Sequence, residues 1–416
     1  MTTAGRIIGA LMSAEGRSNP YPIYRQAREL GPVTQIAPNW FLVSTYAEVR
    51  EAMRSSAYRK DRYSSVDEDQ RAVRRAHRSI QLFDESVLLK DPPEHDRVHK
   101  VLSAAFTPTR LAAMEAGIQQ VTDRLQDGLA ARAAAGGTVD FMEDFAVRLP
   151  LTVMCDLMGV PQGDLDLFRP LAEDLNEALE MVVVDAQLAA ADAAAEELCE
   201  YFEALIELRR ADPRDDLISV LIAEADSEGG LLDERELLAN LVLLLVAGFE
   251  TTANLLGNAL AALFEHPEVR AGLLTGKYTY SAFIEEALRF DPPVQHMIRS
   301  AGLPGMKLAG VPIPPGAELV MLIGSANRDP RRFSDPDAFD PARPNNQHLS
   351  FGGGVHYCIA AALARMEGIT AFRRLLACHP RIAPAGTPVR ADRRQLRGFR
   401  ELPIALGLPE SMGSLA

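Results

Sequence analysis

Glu250 and Thr251 stand side by side in the run "LVLLLVAGFETTANLLG", and Cys358 follows the glycine-rich turn "FGGGVH". A carboxyl beside a hydroxyl in apolar surroundings can hold and pass protons. A lone cysteine after such a turn can be a small buried hydrophobe, a nucleophile or a metal ligand. Because "IAAALARMEGITAFRRLL" beyond it has the small, apolar content of a buried helix, the thiolate is expected to be stabilised by the helix dipole and its pKa lowered. As core filler, Cys358 leaves Gly352, Gly353, Gly354 and His356 unexplained. As a nucleophile it needs a base, and His356, two residues away, is poorly placed to be one. As the axial ligand of a haem it needs a turn that admits the ring, amide donors around the sulfur, and a histidine for a propionate. That third reading explains the most residues. No Lys-Ser/Thr follows the glycines, which excludes a phosphate loop.

The acid and the alcohol must be carried by a long helix. In "LLDERELLANLVLLLVAGFETTANLLGNALAALFEHPEV", Asp233 followed by Glu236 has the spacing of a helix cap with a reciprocating acid, and His266-Pro267 ends the run. The helix is expected to have about 32 residues and to span about 48 Å. Ala247 and Gly248 open space for a ligand to approach its backbone, at a cost of about 1 kcal/mol for the glycine. In "SAFIEEALRFDPPV", Glu286 and Arg289 are three apart on one helical face. With Arg343 of "FDPARPN" they are expected to clamp the extended stretch before the cysteine.

The frame around these residues is an ordinary globular one. The chain has 416 residues, 47% hydrophobic and 24% charged, which is ample for a large core. No linker or composition break divides it, so residues 1–416 are expected to form one domain. A net charge of −14 argues against a nucleic-acid binder. The 4 cysteines lie far apart without a CxxC pair, and "MTTAGRIIGALMSAEGRSNPYP" has neither the length nor the pattern of a signal or anchor. A soluble, cytoplasmic, monomeric protein without membrane contact is the expectation. "PVTQIAPNWFLVSTY" predicts two strands turning at Pro38-Asn39, then a helix in "AEVREAMRS". Residues 60–90 read as irregular, helices dominate to about residue 290, and the last third mixes short strands, a polar extended stretch and one helix. The fold class is therefore mainly α with small β-sheets.

Together these motifs resemble the cytochrome P-450 family of haem-thiolate monooxygenases in its soluble bacterial form. Its cysteine-loop pattern is met by Phe351, Gly352, Gly354, His356 and Cys358, its Ala-Gly-x-Glu-Thr-Thr by Ala247 to Thr252, and its Glu-x-x-Arg by Glu286 and Arg289. The resemblance runs from Asn19-Pro20-Tyr21-Pro22 to the C-terminal "RGFRELPI". It implies the family fold, with a long central helix over haem b (iron protoporphyrin IX), and Cys358 as the iron's thiolate ligand. It implies haem-propionate contacts at His95, His356 and Arg299. His99 stands where the family commonly has arginine, and Ala360 where it usually has glycine. Phe351 is expected to shield the sulfur.

By the same resemblance, Thr251 organises the protonated oxygen and its water, and Glu250 links that hydroxyl to outer proton sources. The activity implied is insertion of one atom of dioxygen into a lipophilic small molecule, by hydroxylation or epoxidation, in secondary-metabolite (antibiotic) biosynthesis. Oxidative coupling, peroxide-driven oxidation on the same scaffold, and a non-catalytic haem sensor are the alternatives. No flavin or iron–sulfur motif is visible, so electrons are expected from a separate ferredoxin and ferredoxin reductase. The family's pocket is usually lined by the segment before the helix of His95, by residues 165–184 and by residues 294–298. In the first of these, "RAVRRAHRSI" would place Arg71, Arg75 and Arg78 on one helical face, where they could meet an acidic substrate or a carrier protein.

Overall fold

The computed structural model describes residues 3–60, 68–180 and 184–407. Residues 61–67 and 181–183, parts of two segments expected to line a pocket, lie outside the described residues.

Helices occupy most of the middle of the chain. The largest apolar cluster joins helices Pro108–Ala134, Arg148–Met158, Leu165–Asn176, Asp185–Ala211 and Glu234–Glu265 with the late helix Ala361–Cys378. The longest, Glu234–Glu265, has 32 residues and begins at the expected cap. Asp233 accepts from the Glu236 amide at 2.8 Å, and Glu236 accepts from the Asp233 amide at 3.2 Å. Two of the free donors of the first turn are thereby satisfied. This helix is long and apolar enough to cross a membrane, but most of it is buried among its neighbours, so it is a core helix.

A mixed sheet closes one side. Val33–Ala37 and Trp40–Val43 form the expected hairpin, with Asn39 at φ 58. Glu318–Leu322 runs parallel to Trp40–Val43, His296–Ala301 pairs antiparallel with Glu318–Leu322, and Tyr58–Arg59 forms the far edge. Arg299 is held by this pairing opposite Leu319. A second apolar cluster fills the space between the sheet and the helix Tyr46–Arg54.

Residues 60–90 differ from the irregular segment expected. Two short helices, Glu68–Arg75 and Arg78–Glu85, occupy much of it. The break between them has a tertiary cause: Asp192, on the helix Asp185–Ala211, meets His77 Nδ1 at 2.7 Å and accepts from the Ser79 amide at 2.9 Å and hydroxyl at 2.6 Å. The arginine stripe is broken by the same contact. Arg71 and Arg75 lean toward Glu68, whereas Arg78 starts the next helix and donates to Cys199 Sγ at 3.4 Å.

Candidate functional site

The helix Glu234–Glu265 is buried continuously from Glu236 to Val246 and again from Thr252 to Leu260. Between these stretches Ala247 is exposed and Gly248, Glu250 and Thr251 are half-buried, so the apolar cover opens for one turn. Thr251 Oγ1 donates to the Ala247 carbonyl at 3.1 Å, keeping its lone pairs toward that opening. Gly248 also meets a packing need: a Cβ there would lie 2.8 Å from Met154 Sδ, so the glycine lets the helix Arg148–Met158 pack close. Ala247 is the small residue at the gap.

The Glu250 side chain is 13% exposed and is held by groups from two other segments. Asn176 donates its amide to Oε2, and Arg393 Nη1 lies 3.7 Å from Oε1. Arg393 also donates to the Glu173 carbonyl at 2.6 Å and lies 3.9 Å from Glu177. Burial raises the carboxyl's pKa, against the pull of Arg393 and Asn176. Neither Asn176 nor Arg393 follows from a local motif; only the fold brings them to the acid.

Cys358 lies three residues before the first residue of the helix Ala361–Cys378. Its amide donates to the Phe351 carbonyl at 2.9 Å, closing the loop that carries it. Contrary to the lowering expected from a helix terminus, burial pushes the thiol's pKa up, with the Ala360 amide and Arg365 pulling it back. The thiol stands outside the helix, so desolvation outweighs the dipole. The glycines too serve another contact. Gly352 and Gly354 adopt φ of 74 and 68, and a Cβ on Gly354 would sit 2.6 Å from the Met53 carbonyl. They let the loop turn and lie against the helix Tyr46–Arg54. Phe351 is packed beneath Arg365, whose guanidinium is 4.4 Å from the ring centre.

Nitrogen-bearing side chains converge beside this loop. The His95 ring is 4.3 Å from the His356 ring and 5.2 Å from the ring of His99, which stacks on it. Arg299 is 2% exposed, and its Nη1 has no hydrogen-bond partner among the described residues. Burial, then Arg299, His95 and His99, depresses the pKa of His356 to about 3. Burial also lowers His99 and brings Arg299 to about 10. Such a set is short of negative charge: a carboxylate placed there would satisfy the orphaned guanidinium atom and favour the protonated histidines. The acids at its edge are Asp96, 3.0 Å from His95 Nδ1, and Asp91, 4.0 Å from His356 Nε2.

Glu286 and Arg289 are fully buried and joined by two hydrogen bonds of 2.7 and 2.8 Å. Arg343 Nε reaches Glu286 at 3.2 Å, and Arg289 and Arg343 together bind the carbonyls of Asn327, Ser334, Asp335, Pro336 and Ala338. The polar stretch before the cysteine loop is thus tied to the helix Tyr280–Phe290. Sequence reasoning missed Glu285, Arg365 and His348, which make a second set of ties from the same helix; the doubled glutamate in "FIEEALRF" was the available signal.

The family model for cytochrome P-450 matches residues 3–275 and 278–392. A vitamin D(3) 25-hydroxylase of Pseudonocardia autotrophica is 35% identical over 414 residues, 98% of either chain. The polyketide biosynthesis cytochrome P-450 PksS of Bacillus subtilis is 32% identical, over 94% of this chain and 97% of its own. Among solved structures, P450BioI in complex with an acyl carrier protein ligated to hexadec-9Z-enoic acid superposes with a TM-score of 0.87 and 28% identity, covering 94% of this chain and all of that one. The family binds haem, and the residues present fit it: a cysteine on a loop closed by its own amide, a buried guanidinium with an unpartnered nitrogen, and a cluster of three histidines. The chain belongs to the cytochrome P-450 family and is a haem-thiolate monooxygenase.

Proposed function

We propose that the protein uses haem b and dioxygen to hydroxylate or epoxidise a lipophilic small molecule in secondary metabolism. The observation that carries this reading is the one-turn opening in the central helix, which presents Thr251 while Glu250 is held behind it by Asn176 and Arg393. Names of relatives support the substrate class: one hydroxylates vitamin D(3) and another serves polyketide biosynthesis.

Bound haem would supply dioxygen activation, and the chain's residues supply its setting. Cys358 would give the thiolate ligand, with the Ala360 amide donating toward the sulfur. Arg299, His95, His99 and His356 would hold the carboxylates. Thr251 would keep a proton at Oγ1 over the opening, and Glu250 would refill it from the side of Arg393. A shielded acid–alcohol pair of this kind suits controlled proton delivery, which favours dioxygen over peroxide as the oxidant. The protein would take electrons from a separate ferredoxin and its reductase, and act in the cytoplasm as one catalytic domain.

The test is the absorption spectrum of the reduced, CO-bound protein beside that of Cys358→Ala. A red-shifted, thiolate-type Soret band that disappears in the variant is expected. A band without that shift, or one indifferent to the substitution, overturns the ligand assignment.

A further inference from the structure

Consecutive glutamates on the helix Tyr280–Phe290 make two different sets of ties. Glu286 binds the polar stretch, as described; Glu285 meets His348, just before the cysteine loop, and Arg365, on the helix just after it. Arg365 Nε donates to Glu285 Oε1 at 2.5 Å and Nη2 to Oε2 at 3.1 Å, while His348 Nε2 lies 3.2 Å from the same Oε2. Arg365 lies in the second turn of the helix Ala361–Cys378, and its guanidinium covers Phe351 at 4.4 Å. Its Nη1 reaches the Tyr357 hydroxyl at 3.3 Å. The His348 ring packs 5.8 Å from Phe351, and its Nδ1 accepts from the Ser350 amide at 3.2 Å.

These contacts bracket the thiol. Phe351 and Tyr357 flank the turn that ends at Cys358, and both touch one arginine. The loop between them has a single turn of 3-10 helix at Gly354–His356 and two glycines in left-handed conformation. Its backbone is closed by the Cys358 amide on the Phe351 carbonyl, while its glycines leave freedom in between. Further restraint comes from outside, through a bidentate charge-assisted pair linking two helices and a guanidinium over the loop's aromatic ring. The His348 side chain is 3% exposed, and Glu285 and Arg365, at 26% and 30%, are half-buried around it, so the cluster is more sheltered than an open surface pair.

We propose that Glu285, Arg365 and His348 form a clamp that positions the cysteine loop and keeps Cys358 in its iron-ligating geometry. They are positioning residues, acting through Phe351 and Tyr357. The clamp rests on the assignment of Cys358 as the ligand.

In the reduced, CO-bound holoprotein, loss of the Cys358 thiolate as ligand would be read as conversion, with time, of the thiolate-type Soret band to the unshifted type. Glu285→Gln and Arg365→Leu should each speed that conversion by about tenfold, the lower end of what supporting residues around metal ligands contribute. Arg365→Lys should not restore it, since lysine lacks the planar fork. The double variant should be no faster than the worse single one, because both break the same link. Wild-type conversion rates in the single variants, or effects that multiply in the double, overturn the clamp. Should Arg365→Leu fail to fold, the near-isosteric Glu285→Gln with Arg365→Lys gives the same comparison. A wild-type band that never shows the thiolate shift fails the ligand assignment, whereas a normal band with unaltered conversion fails the clamp alone.

Discussion

Glu250 shows how one residue's chemistry is set by partners far away in sequence. Burial raises the pKa of its carboxyl, Arg393 and Asn176 pull it back, and Glu173 and Glu177 oppose them. Under the proposed role, Glu250→Gln keeps the amide-sized volume and removes the proton exchange. Turnover coupled to product should fall about 100-fold, within the range of general acid–base contributions. Thr251→Ala should instead keep NADPH consumption and divert it to peroxide; comparing product, peroxide and NADPH measures both. Arg393→Leu tests the electrostatics without turnover. Removing the cation must raise the Glu250 carboxyl further. Infrared spectroscopy of the holoprotein, with the band assigned by its loss in Glu250→Gln, should then find the protonated carboxyl persisting to higher pH. A band that does not move would remove Arg393 from the relay.

Elements are placed here by buried ion pairs as much as by apolar faces. Glu286, Arg289 and Arg343 join the helix Tyr280–Phe290 to an irregular stretch that lacks backbone pairing of its own. Glu286→Ala leaves two cations without their acid in the interior and should cost about 3–5 kcal/mol, read by thermal unfolding and by haem retention. Arg289→Lys should recover little of it, because one ammonium cannot serve two carboxylate oxygens and three carbonyls. This pair was legible in the sequence, as were the Asp233 cap and the Asn39 hairpin, because each is a local spacing rule. What was not legible is tertiary. Gly248 stands against Met154, Gly354 stands against the helix Tyr46–Arg54, and Asp192 splits the arginine-bearing segment at His77; none of these partners lies within 20 residues of the group it meets. The raised pKa of Cys358 belongs to the same class, since desolvation depends on the packed surroundings and the dipole on local sequence.

At the scale of the molecule, Asp291 ties the two ends of the chain to the central helix. It accepts from the Tyr21 hydroxyl at 2.5 Å, from Arg397 Nε at 2.6 Å and from Arg390 Nη2 at 3.2 Å. Arg397 also donates to the carbonyls of Arg17 and Ser18, and Asn258 of the central helix donates to the carbonyls of Asp291 and Arg397. Burial opposes the charged form, yet Arg397, Arg390 and the tyrosine outweigh it and hold the carboxyl at about 2. Because this lies below the ordinary carboxylate value, the folded state binds the proton more weakly than the unfolded one. The stabilisation is therefore complete above about pH 4 and fades as pH falls toward 2, amounting to about 2 kcal/mol for a shift of this size. Asp291→Asn keeps the shape and abolishes the charge, leaving Arg397 and Arg390 buried without their acid. Thermal unfolding of the haem-loaded protein should show the variant less stable by about 3 kcal/mol at pH 7. The gap should narrow between pH 4 and pH 2.5, where the wild-type carboxyl begins to take up its proton. A gap that stays constant over that range would mean that the aspartate contributes by shape and hydrogen bonding, and that its charge does not hold the chain's ends to the core.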